Sequence, residues 1–191
     1  MENHPRIVVV TGNGKGKTTS GMGRAVLAAF SGERALVVQF LKGTGYTGEL
    51  PAAEHWQGAL EIRQFGTKCP HSAEIAQGLR LCERCGTCFR ENRKPENNFA
   101  GQALDYARTA ASSGLWDLLV LDEISHAMNK GLLNIDQVVE WVLTVSSRVR
   151  IVLTGRNMPA QVMEIAEEAT ECAMVKHPIA QGIWGRRGVE Y

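Results

Sequence analysis

Thr11-Gly-Asn-Gly-Lys-Gly-Lys-Thr-Thr19 restricts the fold of this chain more than any other stretch. It follows a β-branched run, Arg6–Thr11 (RIVVVT). It opens a segment, Lys17–Phe30, in which Met22, Val26, Ala29 and Phe30 recur at helical spacing. A strand that breaks into spaced glycines and re-enters as a helix is the setting of a phosphate-binding P-loop. Gly12, Gly14 and Gly16 allow several backbone N–H groups to point at one anion, and the helix N-terminus adds its positive end there. Lys17 is placed to reach terminal phosphates, and the Thr18 hydroxyl to ligate Mg²⁺. Thr11 stands where the consensus has its first glycine. The motif predicts nucleoside triphosphate binding through residues 12–19; the bland alternative is a glycine-rich turn with two surface lysines.

Beyond this loop, apolar strands alternate with amphipathic helices. Ala35–Leu41 (ALVVQFL), Leu60–Phe65 (LEIRQF), Leu118–Leu121 (LLVL) and Arg150–Thr154 (RIVLT) read as strands. Glu49–Trp56 and Asn97–Ser113 read as helices, as does the stretch marked by Ile135, Val138, Val139 and Val142. Val162, Ile165, Ala166 and Ala169 suggest a last helix, followed by a strand near Ala173–Lys176. Such alternation implies an α/β fold, a mainly parallel sheet with helices on both faces, whose ligands bind at the carboxyl ends of the strands. At 191 residues, one domain spanning 1–191 is expected.

Charge excludes some partners. Twenty-one Lys and Arg against twenty Asp and Glu leave +1, which gives no electrostatic case for nucleic acid or an anionic membrane. No apolar run approaches the ~20 residues that span a bilayer. A polar start, Met1–Arg6, leads straight into the first strand without an export signal, so a cytoplasmic protein is expected.

The composition breaks once, at 68–96, where Cys, Arg, Asn and His displace the pattern; this reads as a Cys-rich insertion. Cys69-x12-Cys82-x2-Cys85-x2-Cys88 offers four thiols, which in a reducing compartment suit an iron–sulfur cluster, such as [4Fe-4S], or Zn²⁺ rather than disulfides. His71 can replace Cys69 in that set, and unliganded thiols in a loop are the plain alternative. Cys172, in the expected last strand, reads as a small core residue.

Leu118–Glu123 (LLVLDE) delivers two carboxylates to the P-loop edge of the sheet, where Asp122 or Glu123 can hold Mg²⁺ directly or through water. Asn129-Lys130-Gly131-Leu132 lacks the aspartate of a guanine-reading Asn-Lys-x-Asp motif, which favours an adenine nucleotide, ATP. Gln39, Lys42, Thr44 and Glu49 leave the second strand at the ligand edge, as binding residues or as a plain polar loop. Arg156 follows the fifth strand as a further phosphate candidate.

Gly12–Thr19 (GNGKGKTT), Val37–Thr44 (VVQFLKGT) with Gly48-Glu49, Val120–Glu123 (VLDE), Leu153–Arg156 (LTGR) and the tail Val175–Tyr191 together resemble the corrinoid adenosyltransferase family. The resemblance implies a RecA-like P-loop fold in a homodimer. It also implies transfer of the 5′-deoxyadenosyl group of ATP to Co(I) of a corrinoid, with release of triphosphate, in adenosylcobalamin biosynthesis or salvage. Lys17, Thr18 and Glu123 would then be catalytic, with Thr18 and Glu123 on the metal side and Asp122 assisting. Backbone amides of Asn13–Thr18, with Lys17 and Mg²⁺, would spread the triphosphate charge, and because the family binds ATP in a reversed sense, Lys15 and Thr19 are further phosphate contacts. A reduced flavoprotein would supply electrons. The family displaces the corrinoid's lower axial ligand with aromatic side chains on the loop after the third strand. This chain has none between Gly66 and Leu81, and the cysteines lie there instead; a cluster in that place could pass in the electron that makes Co(I).

Two other readings fit the P-loop alone. One is a nucleoside kinase with a metal-bearing lid, although its cysteines usually follow the carboxylate strand and here they precede it. The other is an ATP-dependent switch protein without small-molecule chemistry.

Overall fold

The computed structural model describes residues 4–43, 45, 47–56, 58–82 and 85–176. Among them, β1 (Ile7–Thr11), β2 (Ala35–Phe40), β3 (Leu60–Phe65), β4 (Leu118–Asp122), β5 (Arg150–Thr154) and β6 (Glu168–Glu171) form one sheet in the order β3-β2-β4-β5-β1-β6. Every pairing is parallel. The four central strands read as unbroken apolar runs because both their faces are covered.

Alternation along each strand divides the core in two. Val8, Val10, Val37, Val120 and Val152 pack with Met22, Ala25, Ala28 and Ala29 of α1 (Lys17–Phe30) and Ala53 of α2 (Glu49–Glu54). Val9, Leu36, Val38, Leu119, Leu121, Ile151 and Leu153 pack with Ala103, Leu104 and Ala107. The layer on that face comprises α5 (Phe99–Ser112), α6 (Ile124–Asn129), α7 (Ile135–Val145) and α8 (Ala160–Glu164). The alanines at i, i+4 and i+7 of α5 let that helix lie close to the sheet. This is the α/β P-loop architecture expected of the chain.

The sequence pattern misplaces the C-terminal elements. α8 ends at Glu164, and Ala169, expected in a helix, pairs with Val9 inside β6. Ala173–Lys176, expected as the last strand, follows β6 as irregular chain. β6 is an edge strand with mostly exposed side chains, so no apolar run marks it. The six-residue α6, wedged directly behind β4, also gives too few turns for periodicity to show.

Residues 68–96 hold two five-residue helices, α3 (Ser72–Ala76) and α4 (Thr87–Glu91), then a 3₁₀ turn at Pro95–Asn97. Asn92 is buried and ties the end of this segment to the sheet. Its Nδ2 donates to the Leu41 carbonyl at 2.6 Å, and its Oδ1 accepts the Thr67 N–H at 2.5 Å.

His126 on α6 gives the fold a pH dependence. Its Nε2 is buried with no hydrogen-bond partner among the described residues. Burial, then the charges of Arg93 and Lys130, hold the imidazole below its ordinary value of 6.5. A depressed histidine binds fewer protons folded than unfolded, so stability should fall as pH drops from 6.5 toward the lowered value. Urea midpoints taken across that window should show the slope, and His126→Leu should flatten it.

Candidate active site

The loop after β1 is pressed against the chain that leaves β6. Gly14 N–H donates to the Cys172 carbonyl at 2.7 Å, and Cys172 N–H to the Thr11 carbonyl at 2.8 Å. A Cβ on Gly12 would lie 2.5 Å from the Cys172 oxygen, at φ +106°, and one on Gly14 would lie 2.5 Å from the Ala173 oxygen. Only glycine fits at either position. Cys172 thus follows β6 rather than lying in a strand; it is half-buried against the α1 side of the core, beside the phosphate loop, with its thiol within electrostatic reach of Lys17.

Lys17 opens α1 and is 6% exposed, with its Nζ donating to the Gly14 carbonyl at 2.6 Å. Burial, then Arg156, lowers its pKa from the ordinary 10.5, while Glu123, Cys172 and Asp122 oppose that shift. An ammonium held by one carbonyl in a partly dry pocket is ready for an anion.

β5 stands between the P-loop strand β1 and the carboxylate strand β4, and Thr154 at its end bridges the gap. Asp122 Oδ1 accepts from Thr18 Oγ1 at 2.9 Å and from Thr154 Oγ1 at 2.7 Å. Glu123 N–H donates to Thr154 Oγ1 at 3.1 Å. Glu123 itself sits at φ 62°, a left-handed conformation unusual for a residue with a side chain. Burial, then the Asp122 charge, raises its pKa above the ordinary 4.5, against Lys17, Lys42 and Arg156.

A row of side-chain amides runs from Asp122 toward the next loop. Gln39, fully buried in β2, donates through Nε2 to Asp122 Oδ2 at 3.0 Å and accepts from Gln64 Nε2 at 2.8 Å. Gln64 Nε2 also lies 3.3 Å from Thr47 Oγ1, and its Oε1 accepts the Gly45 N–H at 3.2 Å. Lys42 approaches Glu49 Oε1 at 3.4 Å, while Glu49 Oε2 is buried with no partner among the described residues.

One cavity of about 630 Å³ gathers most of the expected residues. Gly14, Lys15, Gly16, Lys17, Thr18 and Thr19 line it together with Glu123, Arg156 and Glu49. Met22, Val26 and Ala52 add an apolar shelf that suits the flat face of a base. Gly12, Asn13, Gln39, Lys42 and Asp122 are not among its lining residues; Asp122 and Gln39 act from behind through hydrogen bonds. Thr44 and the tail beyond Lys176 lie outside the described residues. Thr154 and Gln64 escape a reading of the sequence. Their only mark is a polar residue at the end of an apolar strand, which many strands carry.

Hard oxygens from Thr18, Asp122 and Glu123 at one strand edge fit Mg²⁺, which uses one or two carboxylates alongside substrate phosphates and water. The four cysteines of 68–96 differ in exposure: Cys82 and Cys85 are exposed, Cys69 and Cys88 half-buried. Among the described residues, no three His, Cys, Asp or Glu side chains stand as a finished metal cage. No helix among these residues is long and apolar enough to cross a membrane.

A parallel α/β sheet whose first strand ends in a lysine-bearing glycine loop, facing a carboxylate pair one strand away, defines a P-loop nucleotide-binding protein. The family described as ATP:corrinoid adenosyltransferase BtuR/CobO/CobP matches residues 3–191, and the chain belongs to it. Among similar proteins, the corrinoid adenosyltransferase of Escherichia coli strain K12 is 29% identical over 97% of this chain and 85% of its own length. That of a Sinorhizobium species is 30% identical over 97% and 79%. The corrinoid adenosyltransferase CobA of Salmonella typhimurium is 28% identical over 100% and 88%.

Proposed function

We propose that the protein transfers the 5′-deoxyadenosyl group of ATP to Co(I) of a corrinoid and releases triphosphate. The observation that carries this reading is the shared cavity of Lys17, Thr18, Arg156, Glu123 and Glu49, in a chain matched end to end by the adenosyltransferase family. In the reaction, the Co(I) electron pair attacks C5′ of the ribose. A Co–C bond forms, the C5′–O bond breaks, and its electron pair leaves on the triphosphate. The protein therefore has no water to activate and a departing anion to stabilise.

The residues divide that work. Backbone N–H groups of the P-loop hold the triphosphate at the α1 N-terminus. Lys17 exchanges its Gly14 carbonyl for a phosphate oxygen, at little reorganisation because it is already held in place. Arg156 faces the same charge from the end of β5. Thr18 and Glu123, with Asp122 behind them, would hold Mg²⁺, which supplies charge neutralisation of the leaving group. The apolar shelf of Met22, Val26 and Ala52 takes the adenine and keeps water from C5′. Lys42 and Glu49 line the approach of the corrinoid or the nucleotide. A homodimer and a reduced flavoprotein that delivers the electron for Co(I) complete the proposal. No step of the transfer runs through Cys69, Cys82, Cys85 or Cys88.

Anaerobic incubation of the protein with ATP, Mg²⁺ and chemically reduced cobalamin in the dark tests this reading. A light-sensitive Co–C product with one triphosphate released per turnover is expected. ADP with a phosphorylated nucleoside would replace the reading with a kinase, and ADP with phosphate would replace it with a switch protein.

A further inference from the structure

The segment 68–96 holds its shape with almost no core. Among its described residues only Ser72, Ile75 and Asn92 are buried, and Ile75 alone is apolar. Leu79, Leu81 and Phe89 are more than half exposed. α3 and α4 are five residues each, far below the ~12–15 residues at which an isolated helix becomes even marginal in water. Polypeptide this poor in buried apolar surface is stapled in other small folds by disulfides or metal.

The staple's groups are present, although among the described residues they are not drawn together into a metal cage. Cys69, Cys82 and Cys85 all lie within electrostatic reach of the Cys88 thiol, although Cys69 is separated from Cys82 by twelve residues. Between Cys85 and Cys88 the chain turns through Gly86 at φ 71° and enters α4 at Thr87. Lys68 alone separates Cys69 from the Asn92–Thr67 clamp, so this end of the segment is joined to the edge of the sheet from which Lys42 and Glu49 rise.

We propose that Cys69, Cys82, Cys85 and Cys88 form a four-thiolate centre for a thiophilic metal, and that this centre replaces the core that the segment lacks. Four soft ligands in tetrahedral number suit Zn²⁺ or an iron–sulfur cluster and exclude Mg²⁺ or Ca²⁺. The incoming metal draws the thiols into a finished cage, as in structural zinc sites where metal binding and local folding are one event. The role is independent of adenosyl transfer and is tested without ATP or corrinoid.

Protein purified anaerobically should carry about one zinc per chain, or about four iron with matching sulfide and a visible absorbance bleached by dithionite. Either result supports the centre and names its occupant. Cys69→Ser and Cys88→Ser should lose at least nine-tenths of that metal, while Cys172→Ser and Lys17→Met keep it. Limited proteolysis reads the structural role: cleavage within 68–96 should rise at least tenfold after metal removal and return to its first rate on reloading. Three results would overturn the proposal. They are metal below one-tenth equivalent with no uptake of added Zn²⁺ or of iron and sulfide, equal metal in the cysteine variants, and two disulfides in place of metal. A metal-insensitive cleavage rate would remove the stapling role.

Discussion

Lys17→Met should lower the rate of triphosphate release by about 10²–10³-fold while leaving the fold intact. The side chain is almost wholly buried and its ammonium has one carbonyl partner, so its charge is poorly solvated before substrate arrives. Arg156 adds repulsion to that burial, and Glu123, Cys172 and Asp122 only partly offset it. The strain is relieved when phosphate binds, and relieved further as negative charge gathers on the departing triphosphate. Interactions that strengthen toward the transition state raise kcat more than they lower KM. Methionine preserves the apolar stem and its packing. The fall should therefore appear mainly in kcat, with the thermal midpoint unchanged or slightly raised once a buried charge is gone. Release of triphosphate within threefold of the parent would mean that the cradle does not stabilise the leaving group.

Asp122→Ala should be the most destabilising single change at the site, at about 3–5 kcal/mol, or on the order of 10 °C in the thermal midpoint for a chain of this length. The carboxylate is 1% exposed and receives Thr18, Thr154 and Gln39. Alanine leaves the Gln39 amide without an acceptor in the dry centre of the sheet edge, because its oxygen already accepts from Gln64. The two hydroxyls can rotate to other partners; the amide cannot. Asp122→Asn keeps an oxygen for Gln39 and turns its own NH₂ toward the threonine oxygens, so it should lose less than half as much. The same alanine removes the charge that helps raise Glu123, whose titration should move down toward 4.5. Calorimetry on both variants separates the two effects, and equal losses would contradict the hydrogen-bond assignment.

Much of this architecture was legible because it rests on buried, repetitive chemistry. The runs RIVVVT, ALVVQFL, LLVL and RIVLT announce strands covered on both faces, and the alanine ladder of α5 announces a close-packed helix. The P-loop was legible because phosphate binding needs glycines and a lysine at fixed spacing. β6 was misplaced because an edge strand has no buried face to mark it. Gln39 could be suspected, yet its role was not legible. A buried amide takes its meaning from partners 25 and 83 positions away, Gln64 and Asp122, which only the sheet order brings alongside. Thr154 was hidden for the same reason, because sequence does not say that β5 runs between β1 and β4.

A carboxylate has no hydrogen to offer, and that simple fact gives the file from Asp122 to Gly45 a direction. Gln39 and Gln64 must each turn their hydrogens inward and their oxygens outward, like compass needles aligned by a single pole. The backbone at Gly45 therefore takes its bearing from a carboxylate behind the phosphate pocket, two side-chain amides away, rather than from the solvent above it. Glutamate at either station would set lone pair against lone pair, so an exchange that leaves shape and volume almost untouched would still reverse the grain of the site.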